Sequence, residues 1–459
     1  MVNPLLAPEL LELLDAGDIE TLREVVTSVH PAEMAEYIAA LDDADIWRLL
    51  GVLEQPHAAE IFCHFDLERQ TTLAAGANRQ AMARMLEALP HDDRADLVQR
   101  LDPRVAEEIL PLVAKAERED IRKLVSYRER TAGALMSSDY ATLRPDLTVA
   151  QALEQVRGQA PTRETIYYIY VLDEAHRLIG FVSLKDLILA RPTQTVRDVM
   201  HQEVLSVEVG ADQEVAARRI EKYDLLALPV VDADGKLVGI ITHDDALDVL
   251  RQESQEDLEK FMAIGGRHEA GEYLRTPAWT HFRKRANWII VLAALGLVSG
   301  MIIHGFEDTL TAMLILALYM PMVADTGGNT GSQSATVVVR ALALGEIAPR
   351  DTLRILAKEL RVSVLLAVVL GLLSFGKVMF LSRGSDIPGG FSLAGIGACI
   401  AIALALQVVT ATLIGALLPL IAARLKFDPA VVASPALTTI VDITGLLIYF
   451  STAKLLLRI

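Results

Sequence analysis

Five long apolar segments in the C-terminal part of the chain limit the folds that this sequence can adopt. Each has 18 or more residues, and about 20 apolar residues are enough to cross a bilayer as a helix. The segments are residues 286–303, 309–339, 362–381, 393–423 and 430–457. The sequence therefore predicts a multidomain membrane protein with a five-helix α-helical transmembrane domain over residues 274–459.

Charge divides the chain at the same place. The net charge is −17, although the mean hydropathy is positive at +0.34. Residues 1–273 contain 51 Asp and Glu against 28 Lys and Arg, whereas residues 274–459 contain 9 against 15. The acidic excess therefore lies wholly in the first part. We expect that part to be soluble, to favour cations as partners and to repel nucleic acid.

Cysteine usage and the N-terminus indicate the compartment. The two cysteines, Cys63 and Cys399, provide neither a disulfide framework nor a thiolate zinc site. The first residues carry acids within their apolar stretch and lack the basic start of a secretory signal. We therefore expect the soluble part and the N-terminus to lie in a reducing cytoplasm.

A short helical unit repeats every 12 residues between His30 and Val113. The repeat is marked by Leu41, Leu53, Phe65, Leu89, Leu101 and Val113. Asp, Asn or Pro stands near the start of each unit, where Asp and Asn cap a helix and Pro wastes no N–H group. These starts are Asp42, Pro56, Asp66, Asn78, Asp92 and Pro103. The pattern predicts an all-α helical-repeat N domain over residues 1–130.

A second kind of unit occurs twice, in residues 136–198 and 199–250. IYVLDEAHRLIGFVSLKDLI aligns with LPVVDADGKLVGIITHDDAL, so that Gly180 matches Gly239 and Asp186 matches Asp245. Each copy is predicted to form strand, turn, strand and helix. The pattern resembles a tandem pair of cystathionine-β-synthase-type (CBS) domains over residues 131–250, an α/β fold. The resemblance implies a ribose site at Ser183 with Asp186 and at Thr242 with Asp245, or a purely structural pair.

An acid-rich helical segment, residues 251–273, connects the CBS pair to the membrane part. Basic residues precede the first apolar segment and lie between the second and third and between the fourth and fifth. The positive-inside rule places these loops in the cytoplasm. Five spans then leave the C-terminus outside, which Lys454 and Arg458 oppose only mildly because charges at a helix end reach the interface.

Only two carboxylates lie deep in the apolar segments, Asp325 and Asp442. An ionisable group in a bilayer is costly, so each should face a pore, a polar partner or water. Around Asp325 the run MPMVADTGGNTGSQSAT predicts a broken or glycine-thinned helix whose carbonyls line a watery cavity. The candidate pore-lining residues are Asn329, Asp325 and Ser434.

These motifs together resemble the MgtE family of magnesium channels over nearly the whole chain. The most specific matches are PMVADTGGNTGSQSAT and SPALTTIVDITGLLIYF, supported by ETIYYIYVLDE. The resemblance implies a homodimer in the bacterial inner (plasma) membrane, with lipid around it and a central pore. It assigns the ion site to Asp442, with help from the carbonyl of Thr438. Two acids related by a twofold axis make a ring where one acid is a weak site.

The resemblance also implies regulation by cytoplasmic Mg²⁺, with the connecting segment acting as a plug helix. The matching metal positions are Glu60, Asp92, Asp96, Asp212, Glu214, Asp224, Asp245, Asp248, Glu253, Glu256 and Asp257. Without divalent cation the acidic domains should repel each other, and with it they should draw together. ATP is a second regulator that the resemblance implies, at Tyr168, Lys185 and Asp186.

Three other interpretations remain open at this stage. The protein could be a transporter of a wider range of divalent cations, such as Co²⁺ or Mn²⁺. Asp325-Thr326-Gly327 spells the D-T-G of aspartic proteases, and a pair of membrane aspartates is typical of intramembrane proteolysis. A membrane-anchored receptor without transport would also carry a CBS pair. No catalytic Ser/His/Asp set, zinc motif or phosphate-binding glycine loop occurs, so transport driven by ATP hydrolysis is disfavoured. Ion transport remains the favoured interpretation, and we expect the chain not to be an enzyme.

Overall fold

The computed structural model describes residues 7–160, 164–262, 264, 276–384, 387, 390–429 and 435–458. The chain divides into two compact units, Met1–Arg251 and Gln252–Ile459. The first unit holds the helical repeats and the CBS pair. The second holds the long apolar helices.

The first unit begins with ten short helices. They are α1 (Ala7–Ala16), α2 (Ile19–Ser28), α3 (Pro31–Ile38), α4 (Asp43–Val52), α5 (Gln55–Cys63), α6 (Leu67–Gly76), α7 (Arg79–Ala88), α8 (His91–Arg100), α9 (Pro103–Ile109) and α10 (Lys115–Val125). Asp66 and Asn78 cap α6 and α7 by accepting backbone hydrogen bonds from Arg69 at 2.8 Å and Gln80 at 2.9 Å. These caps satisfy N–H groups that a helix start leaves free.

The 12-residue repeat is confirmed in the core of these helices. Leu53, Phe65, Leu89, Leu101 and Val113 belong to one continuous buried cluster, and Leu41 packs against it partly buried. Each short helix alone has too little apolar surface to fold stably. The stacked helices bury one shared core, as repeat architectures do.

Two three-stranded sheets follow. The strands are β1 (Tyr140–Leu143), β2 (Thr165–Leu172), β3 (Leu178–Ser183), β4 (Val207–Glu208), β5 (Ala227–Val231) and β6 (Leu237–Thr242). The helices are α11 (Ala132–Leu135), α12 (Val149–Gln159), α13 (Leu184–Leu189), α14 (Val196–Val199), α15 (Gln213–Tyr223) and α16 (His243–Phe261). In both sheets the first strand pairs parallel with the second, and the second antiparallel with the third. The predicted twofold internal repeat is confirmed.

The matched glycines of the two copies are required by close packing. A Cβ at Gly180 would lie 2.8 Å from the carbonyl oxygen of His201, and one at Gly239 would lie 2.8 Å from that of Ser137. In each copy a third strand therefore lies against a bridging segment with no room for a side chain. This explains why the two sequences share glycine at this point.

The second unit is built from helices. They are α17 (Ala278–Gly305), α18 (Glu307–Ala312), α19 (Ile315–Ala343), α20 (Thr352–Leu381), α21 (Leu393–Arg424) and α22 (Pro435–Leu457). Among the residues that the structure describes, four stretches are long and apolar enough to cross a membrane, namely Ala278–Gly305, Pro349–Leu381, Leu393–Arg424 and Ala436–Leu457. These correspond to four of the five predicted spans. The remaining span stays a prediction.

The second apolar segment differs from its predicted form. Residues 309–339 do not form one helix, because α18 ends at Ala312 and α19 begins at Ile315. Although α19 contains Pro321, it continues without a break to Ala343. The sequence predicts either a broken helix or a continuous helix made narrow by glycines. Around Asp325 the structure has the second form. Its polar run distinguishes it from the four apolar stretches.

Glycine brings three membrane helices close together. A Cβ on Gly415 of α21 would collide with the carbonyl oxygen of Gly331 in α19, and a Cβ on Gly331 would lie 3.3 Å from Cγ2 of Val441 in α22. Small residues allow this approach, which replaces the hydrophobic driving force that is absent in lipid. Two of these helices, α19 and α22, carry the candidate ion-site residues Asp325 and Asp442.

Candidate ion site and acidic clusters

The structure brings Asp325 and Asp442 together. Asp325 lies on α19 and Asp442 on α22, and their carboxylates interact electrostatically. Asp442 is half-buried and Asp325 is exposed in the single chain. Two acids from different helices therefore share one polar region of the membrane unit.

A polar stripe runs along α19 from Asp325. Asp325, Asn329 and Gln333 follow each other at intervals of four residues, so they share one helix face, and all three are exposed. Facing lipid, this stripe would be costly, because nothing in hydrocarbon hydrogen-bonds to it. The face therefore requires water or protein opposite it. Water opposite this face would suit an ion path.

The predicted neighbours of Asp442 are placed in part. Thr438 lies one turn before Asp442 on α22 and is half-buried. Its Cγ2 lies 3.6 Å from where a Cβ on Gly328 would stand, so a glycine of α19 lets this turn approach. Ser434, the third pore-lining candidate, lies outside the described residues. The expected freed carbonyls before Pro435 fall there too.

A third acid in the long helices was missed from sequence. Glu359 lies in the first part of α20, and its carboxylate accepts a hydrogen bond of 2.8 Å from Ser334 of α19. Ser334 is buried. The apolar segment predicted from the sequence begins only at residue 362, which places Glu359 in the preceding loop. The helix begins at Thr352, and this extension could have been found from the cap-like PRDT before it.

The connecting segment ends in an ion-paired contact. The Lys260 ammonium lies 2.7 Å from Glu256 and 3.1 Å from Asp428. Asp428 belongs to the stretch between α21 and α22. Although partial burial alone would lower it, the pKa of Lys260 is raised by these two carboxylates. Glu256 is buried, whereas Glu253 and Asp257 are half-buried on the same helix. The predicted segment 251–273 is helical to Phe261, and most of its remainder lies outside the described residues.

An acidic cluster lies where α8 of the repeat domain meets the CBS pair. The pKa of Asp92 lies well above its ordinary value, because the carboxyl is desolvated and because Asp245, Asp93 and Glu164 repel its charge. Desolvation and repulsion from Asp244, Asp93 and Glu164 raise the pKa of Asp245 to about 7, although the Thr242 hydroxyl opposes the rise. Such mutual repulsion is what a divalent cation would relieve.

One oxygen of this cluster is unsatisfied. Oδ1 of Asp92 is buried and has no hydrogen-bond partner among the described residues. Buried acceptors are normally paired, so an orphan here points to an absent water or ion. The described residues contain no group of three or more His, Cys, Asp or Glu already arranged around a metal. Mg²⁺ keeps much of its water and does not require such a closed cage.

The other predicted metal residues have local roles. Glu60 on α5 is exposed and lies 3.4 Å from His57, and Asp96 lies one turn beyond Asp92. Asp212 caps α15, Glu214 pairs with Arg218 at 2.6 Å, Asp224 ends α15 with a left-handed φ of 50°, and Asp248 lies 3.2 Å from Arg251. Glu60, Asp212, Glu214 and Asp248 thus have partners within the protein that do not involve a metal. Their predicted roles stay predictions.

Behind the cluster lies an ion network that sequence reasoning missed. His91, which precedes Asp92, lies 2.8 Å from Asp120 and 2.8 Å from Asp139. Burial alone would lower the pKa of His91, but the two carboxylates outweigh it and raise the pKa to about 9. Arg94 is buried and lies 2.6 Å from Glu117. The network joins the repeat domain to the start of β1.

The predicted nucleotide residues surround the start of α13. The Ser183 hydroxyl donates to Asp186, and His201 lies 3.1 Å from the same carboxylate. Burial raises the pKa of Asp186, but these hydrogen bonds outweigh it and hold the pKa below its ordinary value. His201 stacks on Phe181 at 5.0 Å, and Tyr168 packs edge-on against Phe181 at 5.5 Å. An ionised acid beside an aromatic surface suits a ribose and a base.

Lys185, the remaining predicted nucleotide residue, is exposed. A cavity of about 860 Å³ lies elsewhere in the first copy and is lined by Arg144, Asp173, His176 and Arg197 among others. Since its lining includes neither Tyr168 nor Asp186, we do not assign it to the nucleotide.

Comparison with known proteins gives the family. The model described as a divalent cation transporter matches residues 320–452, that of the MgtE intracellular N domain matches 29–130, and that of the CBS domain matches 132–192 and 196–252. The magnesium transporter MgtE of Thermus thermophilus is 39% identical over 99% of both chains. That of Bacillus subtilis is 33% identical over 96% of this chain and 95% of the relative.

Two solved structures resemble the first unit. The cytosolic domain of the Mg²⁺ channel MgtE in complex with ATP is 39% identical, with a TM-score of 0.50 over 52% of this chain and 98% of that one. The soluble part of a magnesium transporter is 34% identical, with a TM-score of 0.52 over 54% and 97%. The full-length relatives are named as transporters, in line with the prediction that the chain is not an enzyme. With the repeat helices, the CBS pair and the long membrane helices all matched, the chain belongs to the MgtE family.

Proposed function

We propose that this protein conducts Mg²⁺ across the bacterial inner membrane along a path past Asp442. The polar stripe of α19, exposed beside Asp442, carries this proposal. Asp325, Asn329 and Gln333 supply oxygen-bearing side chains along three turns, and Asp442 supplies a second charge close enough to interact with Asp325. Mg²⁺ prefers oxygen and retains water, so a path of this chemistry suits the hydrated ion. The family and its named relatives support the same cargo.

The path requires two copies of the chain. One half-buried carboxylate binds a divalent ion weakly, whereas a twofold axis beside Asp442 doubles the charge. The exposed stripe of α19 would then face its partner across water instead of facing lipid. Broader transport of Co²⁺ or Mn²⁺ is the alternative. A Mg²⁺-selective path would prefer the hydration shell of Mg²⁺ over those of Co²⁺ and Mn²⁺, whereas a broader transporter would not.

Flux measurements test the path directly. Purified protein in vesicles with an internal Mg²⁺ indicator should lose most of its flux on Asp442→Asn. The matched control Asp308→Asn removes the same charge from an exposed position in α18 and should retain the flux. If Asp442→Asn conducts like the wild type, Asp442 is not in the path. Cleavage of a membrane substrate that depended on Asp325 and Asp442 would support the protease instead.

Gating by cytoplasmic Mg²⁺ is the second part of the proposal. The predicted layout is an N domain over 1–130, CBS domains over 136–198 and 199–250, a plug helix over 251–273 and the membrane domain from 274. At the junction of α8 with the CBS pair, repulsion among Asp92, Asp93, Asp245 and Glu164 disfavours the compact arrangement. A bound Mg²⁺ would replace this repulsion by the attraction of each carboxylate to the shared cation. The ion would thus close its own path.

The contact of Lys260 with Asp428 offers the mechanical link. Asp428 precedes α22 in the chain, the helix that carries Asp442, so a shift of the plug helix at Lys260 would be transmitted towards that helix. Single-channel recording with stepped internal Mg²⁺ tests the coupling. Open probability should fall as Mg²⁺ rises, and an unchanged open probability would contradict the gate.

ATP binding to the first CBS copy is a separate candidate function. It is favoured by the stacked Phe181 and His201 beside the ionised Asp186. A 39% identical relative was crystallised with ATP. Calorimetric titration with ATP should give saturable binding that Asp186→Asn weakens. Equal binding by the variant would place ATP elsewhere.

We also propose that the N-terminus is cytoplasmic and the C-terminus outside, with α19 as the second of five spans. A cysteine introduced by Arg458→Cys, with Cys63 and Cys399 replaced, should react with a membrane-impermeant reagent added to intact cells. Reaction only after permeabilisation would reverse the assignment.

A further inference from the structure

Gln407 is a buried amide in the middle of α21, beside the candidate ion site. Its side chain has no exposed surface, and its Nε2 donates a hydrogen bond of 2.9 Å to the carbonyl oxygen of Val441. Val441 directly precedes Asp442 in α22. The hydrogen bond therefore joins α21 to the backbone turn from which the Asp442 carboxylate projects.

Two glycines make room for this amide. A Cβ on Gly445 of α22 would lie 2.6 Å from Nε2 of Gln407, and a Cβ on Gly327 of α19 would collide with the same nitrogen. Gly327 lies two residues after Asp325. The amide is thus enclosed between the helices that carry the two membrane aspartates, with no space for it to move sideways.

The same turn of α22 is held from a second direction. Cγ2 of Val441 lies 3.3 Å from where a Cβ on Gly331 of α19 would stand. The Val441 carbonyl also accepts a hydrogen bond of 3.1 Å from the Thr444 hydroxyl. The position of the turn before Asp442 is therefore fixed by α21 through the backbone and by α19 through the side chain.

The other end of the amide is unsatisfied. Oε1 of Gln407 is buried and has no hydrogen-bond partner among the described residues. Exchanging Oε1 and Nε2 would not help, because it would set two carbonyl oxygens against each other at Val441. A methionine of the same length would fill the space without an unpaired oxygen. Packing stability alone therefore does not account for the amide.

We propose that Gln407 is a positioning residue for the ion site. Its N–H group ties the Val441–Asp442 turn to α21 and so sets where the Asp442 carboxylate meets the hydrated ion. This inference rests on the proposed function, in which Asp442 lies on the Mg²⁺ path. Selection by the size of a hydrated ion depends on carboxylate position to within a fraction of an ångström. Loss of the tie should therefore change selectivity as well as flux.

The sequence itself marks Gln407 as unusual. Gln407 is the only amide side chain in the 32 residues of α21, which otherwise consist almost entirely of apolar and small residues. Polar residues within a membrane helix face the interior of the bundle. What the sequence could not give was its partner, the carbonyl of a residue 34 positions later.

The test is Gln407→Met, measured on the full-length protein in vesicles for Mg²⁺ flux and for the ratio of Mg²⁺ to Co²⁺ flux. Methionine keeps the length and apolar packing and removes only the donor. We expect Mg²⁺ flux to fall about tenfold, which corresponds to the loss of one hydrogen bond, and the Mg²⁺ to Co²⁺ ratio to fall with it. The matched control is Thr412→Val on the same helix, whose hydroxyl bonds only the carbonyl of Val408 at 2.7 Å. It should change neither quantity.

A second variant separates positioning from folding. Gly445→Ala places a methyl group against the amide, so it should produce the same loss of selectivity, and combining it with Gln407→Met should add little. Wild-type flux and selectivity in Gln407→Met would overturn the proposal. So would a reduced flux with unchanged selectivity and a lowered melting temperature, which would indicate packing alone. If the wild type itself conducts no Mg²⁺, the proposed function fails, and this inference fails with it for a distinguishable reason.

Discussion

Replacing Asp245 by Asn should stabilise the soluble unit when no divalent cation is present. The Asp245 carboxyl is half-buried, and desolvation with repulsion from Asp244, Asp93 and Glu164 raises its pKa from 3.8 to about 7. At pH 8 the folded protein must therefore hold a charge that it disfavours. Asn keeps an acceptor for the Thr242 hydroxyl and removes the charge.

The size of the stabilisation expected from Asp245→Asn follows from the pKa shift of Asp245. Each pKa unit is worth about 1.4 kcal/mol, so the difference between 3.8 and about 7 corresponds to about 4 kcal/mol at high pH. Solvent screens a half-buried carboxylate, and we reduce the value to about 2 kcal/mol. For a unit of roughly 250 residues this raises the melting temperature by about 4 to 8 °C.

The raised pKa of Asp245 also determines whether stability rises or falls with pH. The folded-state pKa lies above the unfolded value, so the folded protein binds the extra proton between about pH 4 and 7. Stability of the wild type should therefore fall as pH rises through this window. Asp245→Asn should lack this part of the fall.

The assay is pulse proteolysis of the full-length protein in detergent over a temperature series, at pH 8 with chelator. The matched control is Asp234→Asn, an exposed acid in the turn of the same CBS copy, which should behave like the wild type. Adding Mg²⁺ should stabilise the wild type more than Asp245→Asn. If Asp245→Asn unfolds at or below the wild-type temperature in chelator, repulsion does not govern this junction.

Three further predictions follow from other contacts. His91→Gln should destabilise the soluble unit by about 1 to 2 kcal/mol at pH 7. Because the pKa of His91 is raised to about 9, the wild type should keep this stability below pH 6.5 and lose it as the pH rises through 9. If resistance to proteolysis falls equally steeply with pH in the variant, the His91 network does not contribute this stability. Gly415→Ala should prevent compact assembly of the membrane helices, since its Cβ would collide with the carbonyl of Gly331. The control Gly376→Ala places its Cβ in open space and should assemble normally. Size-exclusion profiles in detergent should distinguish the two variants, and identical profiles would refute the close approach of the helices. Ser334→Ala should leave the Glu359 carboxylate without its donor and lower the melting temperature of the membrane unit by several degrees, an effect that Thr336→Val, whose hydroxyl bonds only its own helix, should not share.

Much of the local structure could be predicted because it depends on neighbours in sequence. Asp66 and Asn78 cap helices as predicted, since a cap is made within three residues. The repeat at Leu53, Phe65 and Leu89 is buried as predicted, since the spacing of apolar side chains determines which face of a helix is covered. The start of α20 was placed too late because hydropathy marks the apolar part of a helix and not its polar first turns.

The sequence by itself determined the division into an acidic soluble part and an apolar membrane part, the two kinds of repeat and the identity of the two deep aspartates. Only the tertiary structure decided that Asp325 and Asp442 interact, that Asp92 and Asp245 repel each other, and that Gln407 lies between Gly327 and Gly445. Composition and periodicity act over one or two helical turns. Contacts between residues 34 or 153 positions apart depend on how closely the backbones approach, and that is set by packing in three dimensions.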